Sequence, residues 1–320
     1  MVIAFCSFAI FAQAQSGPST VRTKEAGGAY FSALEQQARG GDTHDEYLLG
    51  AAYMTGSGVS QDYKLAAEWY KAAAAQGEVN AAFALACLYE QGRGVSRDYR
   101  LAVTYYRAAV EQGHPRAENN LGAMYESGRG VSKDLTEAAR LYRASAEHGD
   151  PVAQCNLASL YFYGQGVRRD YAQAAIWFRM AAEQGYAPSQ HLLSFLYYSG
   201  KGVSRDFVEA AQWARRAAEQ GDTRAQADLG SLYEQGKGVP LDYVSAYGWY
   251  FLAAAGGDEG SKTRIKSLSR LMTKQQINAA AAIPVSPSRR PREVDSDNET
   301  FRTHMSAWRS ILETEGWWTP

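Results

Sequence analysis

Six glycine-rich segments recur along this chain at a constant pitch of 36 residues, and no other feature limits its fold as tightly. "GSGVSQDYKLAA" begins at Gly56, "GRGVSRDYRLAV" at Gly92, "GRGVSKDLTEAA" at Gly128, "GQGVRRDYAQAA" at Gly164, "GKGVSRDFVEAA" at Gly200 and "GKGVPLDYVSAY" at Gly236. Self-similarity at this period marks a stacked array, whose units bury apolar surface only against their neighbours. One copy alone resembles a phosphate-binding loop. Such a loop is not repeated at fixed pitch, follows a strand, and carries a third glycine or a Gly-Lys-Ser/Thr that these copies lack. The glycines are therefore structural.

Residues 77–112, the second repeat, serve as a template. Ala81, Leu85, Ala86 and Tyr89 recur at helical spacing, as do Ala153, Leu157, Ala158 and Tyr161 two repeats on, and predict a first helix, A. Gly92 and Gly94 break it, because glycine accepts the left-handed backbone of a tight reversal. Asp98, with Asp62, Asp134, Asp170, Asp206 and Asp242 in the same place, is positioned to cap a second helix, B. Glu137, Gln173 and Glu209 lie three residues further on and suggest capping boxes. As metal ligands these aspartates would stand a whole repeat apart, too far to share an ion. Helix B carries Ala102, Tyr105, Tyr106 and Ala109 inward and ends at Gly113, as its counterparts end at Gly149, Gly185 and Gly221. Small residues of A thus face large aromatics of B.

These residues follow the pattern A-x-x-x-L-G-x-x-Y-x-x-G-x-G-V-x-x-D-x-x-x-A-x-x-W-Y-x-x-A-A-x-Q-G. It resembles the SEL-1-like repeat, a relative of the tetratricopeptide repeat, across residues 41–256. The resemblance implies an all-α fold, an α/α solenoid wound as a right-handed superhelix of stacked two-helix repeats, with a concave face lined by A helices. It also implies a non-enzymatic scaffold or adaptor that binds a protein or peptide there. Bacterial members are often exported and act in envelope signalling or host interaction. A cysteine-rich branch is linked to β-lactam binding and hydrolysis, which makes a β-lactam- or peptidoglycan-related hydrolase the alternative. This chain lacks that branch's paired cysteines. Its Cys87 and Cys155 lie two repeats apart, and helices packed about 8–10 Å from each other cannot bring such a pair within the Cα spacing of a disulfide.

The ends depart from the pattern. "MVIAFCSFAIFAQAQSG" is an apolar run closing on Ala12-Gln13-Ala14, so residues 1–14 are expected to be a secretory signal and the chain periplasmic or secreted. The run lacks a basic residue before it, and a plain apolar terminus is the other reading. Residues 22–40 match a lone B helix and are expected to cap the array. Residues 257–283 form the opposite cap, where Thr273 and Gln276 make a capping box. "PVSPSRRPR", 284–292, is a flexible linker, since proline cannot continue a helix. In the tail, 293–320, Phe301, Met305, Trp308 and Leu312 recur about once per turn. This segment is either disordered or a short amphipathic helix able to dock on the chain's own groove.

A formal net charge of −1 gives no basic face for nucleic acid, and no apolar run is long enough to span a membrane. No catalytic motif, metal-ligand spacing or cofactor signature stands out. His114 and His148 sit at helix ends, where histidine commonly caps. The candidate partner site is instead the A-helix column 80, 83, 87 and 90, with 91 at its mouth. In repeat three it carries Arg116, Asn119 and Glu126; in repeats four and five it carries Phe162, Tyr163, His191, Phe195 and Tyr198. Aromatic anchors inside a polar rim are how interface hot spots are arranged. The opposing reading is that these rings only thicken the core.

Overall fold

The structure, a computed structural model, describes residues 22–281. The expected signal segment (1–14), the linker (284–292) and the tail (293–320) lie outside the described residues. Two compact units divide the chain, residues 22–148 and 149–281 of the described part. Every regular element among the described residues is a helix.

In the first unit α1 (Arg22–Arg39) precedes three A–B pairs: α2 (Thr43–Thr55) with α3 (Tyr63–Ala75), α4 (Val79–Gln91) with α5 (Tyr99–Glu111), and α6 (Pro115–Ser127) with α7 (Leu135–Glu147). In the second unit the pairs are α8 (Pro151–Tyr163) with α9 (Tyr171–Glu183), α10 (Ala187–Ser199) with α11 (Phe207–Glu219), and α12 (Thr223–Gln235) with α13 (Tyr243–Ala255). Two shorter helices follow, α14 (Glu259–Leu268) and α15 (Lys274–Ala281). Helices adjacent in sequence pack together within each unit, except that α15 packs on α13.

The aspartate before each B helix caps it. Asp98 Oδ1 accepts from the backbone N–H groups of Arg100 and Leu101 at 2.9 and 3.1 Å, and the other five copies do the same. Such a cap contributes about 1 kcal/mol. The expected capping boxes of Glu137, Gln173 and Glu209 lose their return arm. The backbone N–H of each capping aspartate already donates to the carbonyl of an A-helix tyrosine nine residues earlier, as Asp134 does to Tyr125 at 3.0 Å. Glu137 turns to Arg140, and Glu209 accepts from the Trp213 indole. Where no such carbonyl competes, the box closes in full. The Thr273 N–H donates to Gln276 Oε1 at 2.8 Å, and the Gln276 N–H to Thr273 Oγ1 at 3.2 Å. His114 caps the start of α6 through Nδ1, and His148 sits at the end of α7 beside Glu118.

Small and large residues interlock within each repeat. A Cβ on Gly50 would come within 2.7 Å of the Tyr70 ring, and one on Gly122 within 3.0 Å of Tyr142. Tyr70, Tyr106, Tyr142 and Phe178 are fully buried at this contact. A second buried column escapes the sequence reading: Leu88, Met124, Leu160, Leu196 and Leu232.

The second glycine of the loop does something further. Gly202 has φ +72°, and its missing side chain leaves room for the backbone at the start of α9, where Tyr171 and Ala172 lie. Gly130 stands in the same relation to Tyr99, and Gly238 to Phe207. Each of these loops rests directly on the first residue of the preceding repeat's B helix.

At the ends, Leu34 and Ala38 of α1 bury against Leu49 of α2. Leu268 packs with Ala246 and Tyr250 of α13. Cys155 is a buried free thiol, which burial pushes up to about 11.

Candidate functional site

The inner positions of the A helices fall into two chemistries. In repeats two, three and six the last residue of the column, at position 90 of the template, is glutamate, and it belongs to its own repeat. Tyr106 donates to Glu90 at 2.6 Å, Tyr142 to Glu126 at 2.6 Å and Tyr250 to Glu234 at 2.7 Å. Burial pushes the Glu90 carboxyl up, against the opposing pull of the Tyr106 hydrogen bond and the Arg129 charge. The Tyr106 and Tyr142 hydroxyls are driven well above the usual tyrosine value, first by burial and then by their glutamates. Asn120 also donates to the Tyr106 hydroxyl at 3.1 Å, and Asn119 donates to Asn120. Of the predicted site residues in the first unit, Asn119 and Glu126 are thus buried in this network, while Arg116 is half-buried near the start of α6.

In repeats four and five the pair is replaced. Phe162 stands at the place of Glu126 and Phe178 at the place of Tyr142; in repeat five the same two places hold Tyr198 and Ala214. Phe162 makes edge-to-face contacts with Tyr163, Tyr171 and Phe195, at ring-centroid distances of 5.2, 5.0 and 6.2 Å. Phe162 and Phe195 do not stand open on the helix face: they are 3% and 2% exposed, within one core cluster. Tyr163 and Tyr198 remain half-buried. A lysine from the next loop lies over each group. Lys201 Nζ is 5.9, 5.7 and 5.6 Å from the rings of Phe162, Tyr171 and Phe195. Lys237 Nζ donates to the Tyr198 hydroxyl at 2.7 Å and sits 4.9 Å from its ring. Cation–ring contacts of this kind contribute on the order of 1 kcal/mol.

His191 joins two neighbouring A helices. From α10 its Nε2–H donates to Asp228 Oδ2 on α12 at 2.8 Å, and the ring is 3% exposed. Burial by itself pushes the imidazole down. The Asp228 hydrogen bond and the charges of Asp222 and Asp228 outweigh both burial and Arg224, so the ring titrates above the ordinary histidine value. A group whose pKa rises on folding gives its full stabilisation below the unfolded value, about 6.5 for histidine. That contribution is lost as pH rises through the folded value. The urea midpoint of the wild type should therefore fall as pH climbs from about 6.5. His191→Gln should lose that fall relative to wild type over the same window; parallel profiles for the two proteins would show that the pair contributes nothing.

The second unit thus gathers Phe162, Tyr163, His191, Phe195 and Tyr198 on α8 and α10, with Arg224 and Asp228 on α12. Sequence reasoning missed Asp228, Lys201 and Lys237. Their signal was spacing: an A-helix residue meets its neighbour one repeat on, so His191 reaches Asp228 across 37 positions. Among the described residues no cluster of three or more His, Cys, Asp or Glu is arranged to hold a metal ion. Nor is any described helix long and apolar enough to cross a membrane.

Comparison with known proteins follows the same register. The family described as Sel1 repeat matches residues 44–78, 79–114, 115–150, 151–186, 187–222 and 223–258. Among solved structures, a protective antigen of uropathogenic Escherichia coli strains displaying an SLR fold is 34% identical with a TM-score of 0.74. The match covers 78% of this chain and 54% of that one, so the chain spans about half the antigen's length. A Sel1 repeat protein from Oxalobacter formigenes is 29% identical with a TM-score of 0.62, over 72% of this chain and 96% of its own. No curated protein matches.

Proposed function

We propose that this chain, which belongs to the Sel1 repeat family, is an exported scaffold that holds a protein or peptide against its A helices. Sel1 repeats are a helical scaffold that commonly mediates protein–protein interaction. One observation supports a specific binding face above others. The contacts that build each repeat and seat it on the one before are the same from copy to copy: capping aspartate, tyrosine carbonyl, second glycine. The A-helix column 80, 83, 87 and 90 changes chemistry from one repeat to the next. Residues that stacking does not require to be alike are free to be selected for a partner.

Tyr163, His191 and Tyr198, with Phe162 and Phe195 behind them, form the main contact. Export rests on the apolar run of residues 1–14 and its Ala12-Gln13-Ala14 end. It also accords with the similar Escherichia coli protein being a protective antigen. Deleting the tail, residues 293–320, should raise affinity for the partner, because its Phe301, Met305, Trp308 and Leu312 would compete for the same A-helix face.

The test is to pan a random peptide library on the purified protein. Its best ligand is then titrated against Tyr163→Ala and Tyr198→Ala. Each substitution should weaken binding about tenfold, as truncating an aromatic anchor does, with helix content unchanged. Undiminished affinity in both variants would remove the A-helix face from the account.

A further inference from the structure

We infer that the glycine-loop edge of the second unit rests on an anionic lipid bilayer, its exposed apolar residues entering the interface and its arginines meeting lipid phosphates. This surface is built from loop and B-helix residues, not from the A-helix column, and goes beyond the peptide-binding reading.

The loops of this unit run together along one edge. Loop 200–206 sits on the start of α9, which follows loop 164–170, and loop 236–242 sits on the start of α11, which follows loop 200–206. A Cβ on Gly202 would come within 2.7 Å of the Ala172 nitrogen, and one on Gly238 within 2.8 Å of the Val208 nitrogen. Arg168 and Arg169 precede α9 and Arg205 precedes α11, and all three are exposed. The Arg169 guanidinium lies 5.6 Å from the Tyr171 ring centroid, and Arg205 donates to the Ser199 carbonyl at 3.4 Å. A guanidinium has five N–H donors, so these contacts place each group and leave most of its donors to solvent.

With Lys201 and Lys237 the edge holds five cations against three aspartates, Asp170, Asp206 and Asp242. Each aspartate caps a helix by accepting from two backbone N–H groups, and the partial positive charge of the helix start offsets it. The stretches 183–187, 219–223 and 255–259, at the other ends of these helices, hold acids and no Lys or Arg. Charge is thus polarised across the unit, and the loop edge is the side that an anionic surface attracts.

An acidic protein would also meet these cations; the apolar residues favour lipid. Leu241 takes the place that Arg97, Lys133, Arg169 and Arg205 hold in earlier repeats, and it is 58% exposed. Val208, where that loop is seated, is 53% exposed, and Tyr243 at the start of α13 is exposed as well. Apolar side chains enter the headgroup boundary while Lys and Arg beside them meet phosphates, and tyrosine favours the same depth.

The test is co-sedimentation with vesicles of phosphatidylcholine and phosphatidylglycerol in equal parts, beside vesicles of phosphatidylcholine alone. Wild type should bind the anionic vesicles about tenfold or more the tighter, and high salt should release it. Arg168→Gln combined with Arg205→Gln should weaken binding about tenfold or more, as removing two cations from such a surface does. Leu241→Ser leaves the charge unchanged and should weaken binding about fivefold. Helix content should stay intact in both variants, because the altered side chains are exposed. Equal binding to the two kinds of vesicle overturns the proposal. So does undiminished binding by either variant, which would show that another part of the chain holds the lipid. Binding to polyglutamate in solution with none to anionic vesicles would assign the edge to an acidic protein and overturn the lipid.

Discussion

Gly202→Ala is expected to destabilise the chain by about 3 kcal/mol or more, read as a drop in the urea midpoint. Two costs combine. An alanine at φ +72° is a left-handed L-residue, worth roughly 1–2 kcal/mol. Its Cβ would also be driven into the Tyr171 carbonyl and the following peptide unit at the start of α9. That obstacle is backbone, so no rotamer relieves it, and overpacking a fixed contact adds roughly 1–3 kcal/mol. Gly185→Ala is the control. Gly185 has φ +87° and nothing within 4 Å of where its Cβ would go, so only the backbone cost applies. Equal losses at the two positions would mean that the loop does not rest on the preceding repeat.

Tyr142→Phe should cost about 2 kcal/mol, because it leaves the buried Glu126 carboxylate without its 2.6 Å donor. The chain carries its own remedy. Repeat four replaces the same pair by Phe162 and Phe178, both buried. Tyr142→Phe combined with Glu126→Phe should accordingly recover most of the loss, as exchange of a buried polar pair for apolar rings often does. The double variant should lie within about 1 kcal/mol of wild type by urea unfolding. If it is no more stable than the single, the carboxylate is not the source of the cost.

Much of the architecture could be read directly from residues. The glycine pitch, the six capping aspartates and the small-against-large columns each follow from a local rule, and local rules act within one repeat. What eluded the reading lay between columns. From sequence Glu126 reads as an open partner contact, because no local rule signals that Tyr142, sixteen residues away, donates to it. The matched changes were nonetheless visible: glutamate with tyrosine in three repeats, phenylalanine with phenylalanine in a fourth. The capping boxes failed for a similar reason, since the aspartate N–H was claimed by a tyrosine carbonyl across the loop. His191 stands in the predicted column, but its Asp228 partner is not legible there, because pairing adjacent A helices takes a spacing of one repeat plus one.

The seat that Gly202 takes on the opening residue of α9 has a bearing on how such a chain can change its length. Because each loop is fitted to the module before it, the smallest unit that can be spliced in or cut out is a whole period. Excising 36 residues from within the second unit brings one glycine loop onto an equivalent seat, whereas removing 35 rotates the following helix by about 100° and leaves its loop facing empty space. Growth by duplication is thereby kept in phase, and a newly copied module arrives already fitted to the seat that it must take.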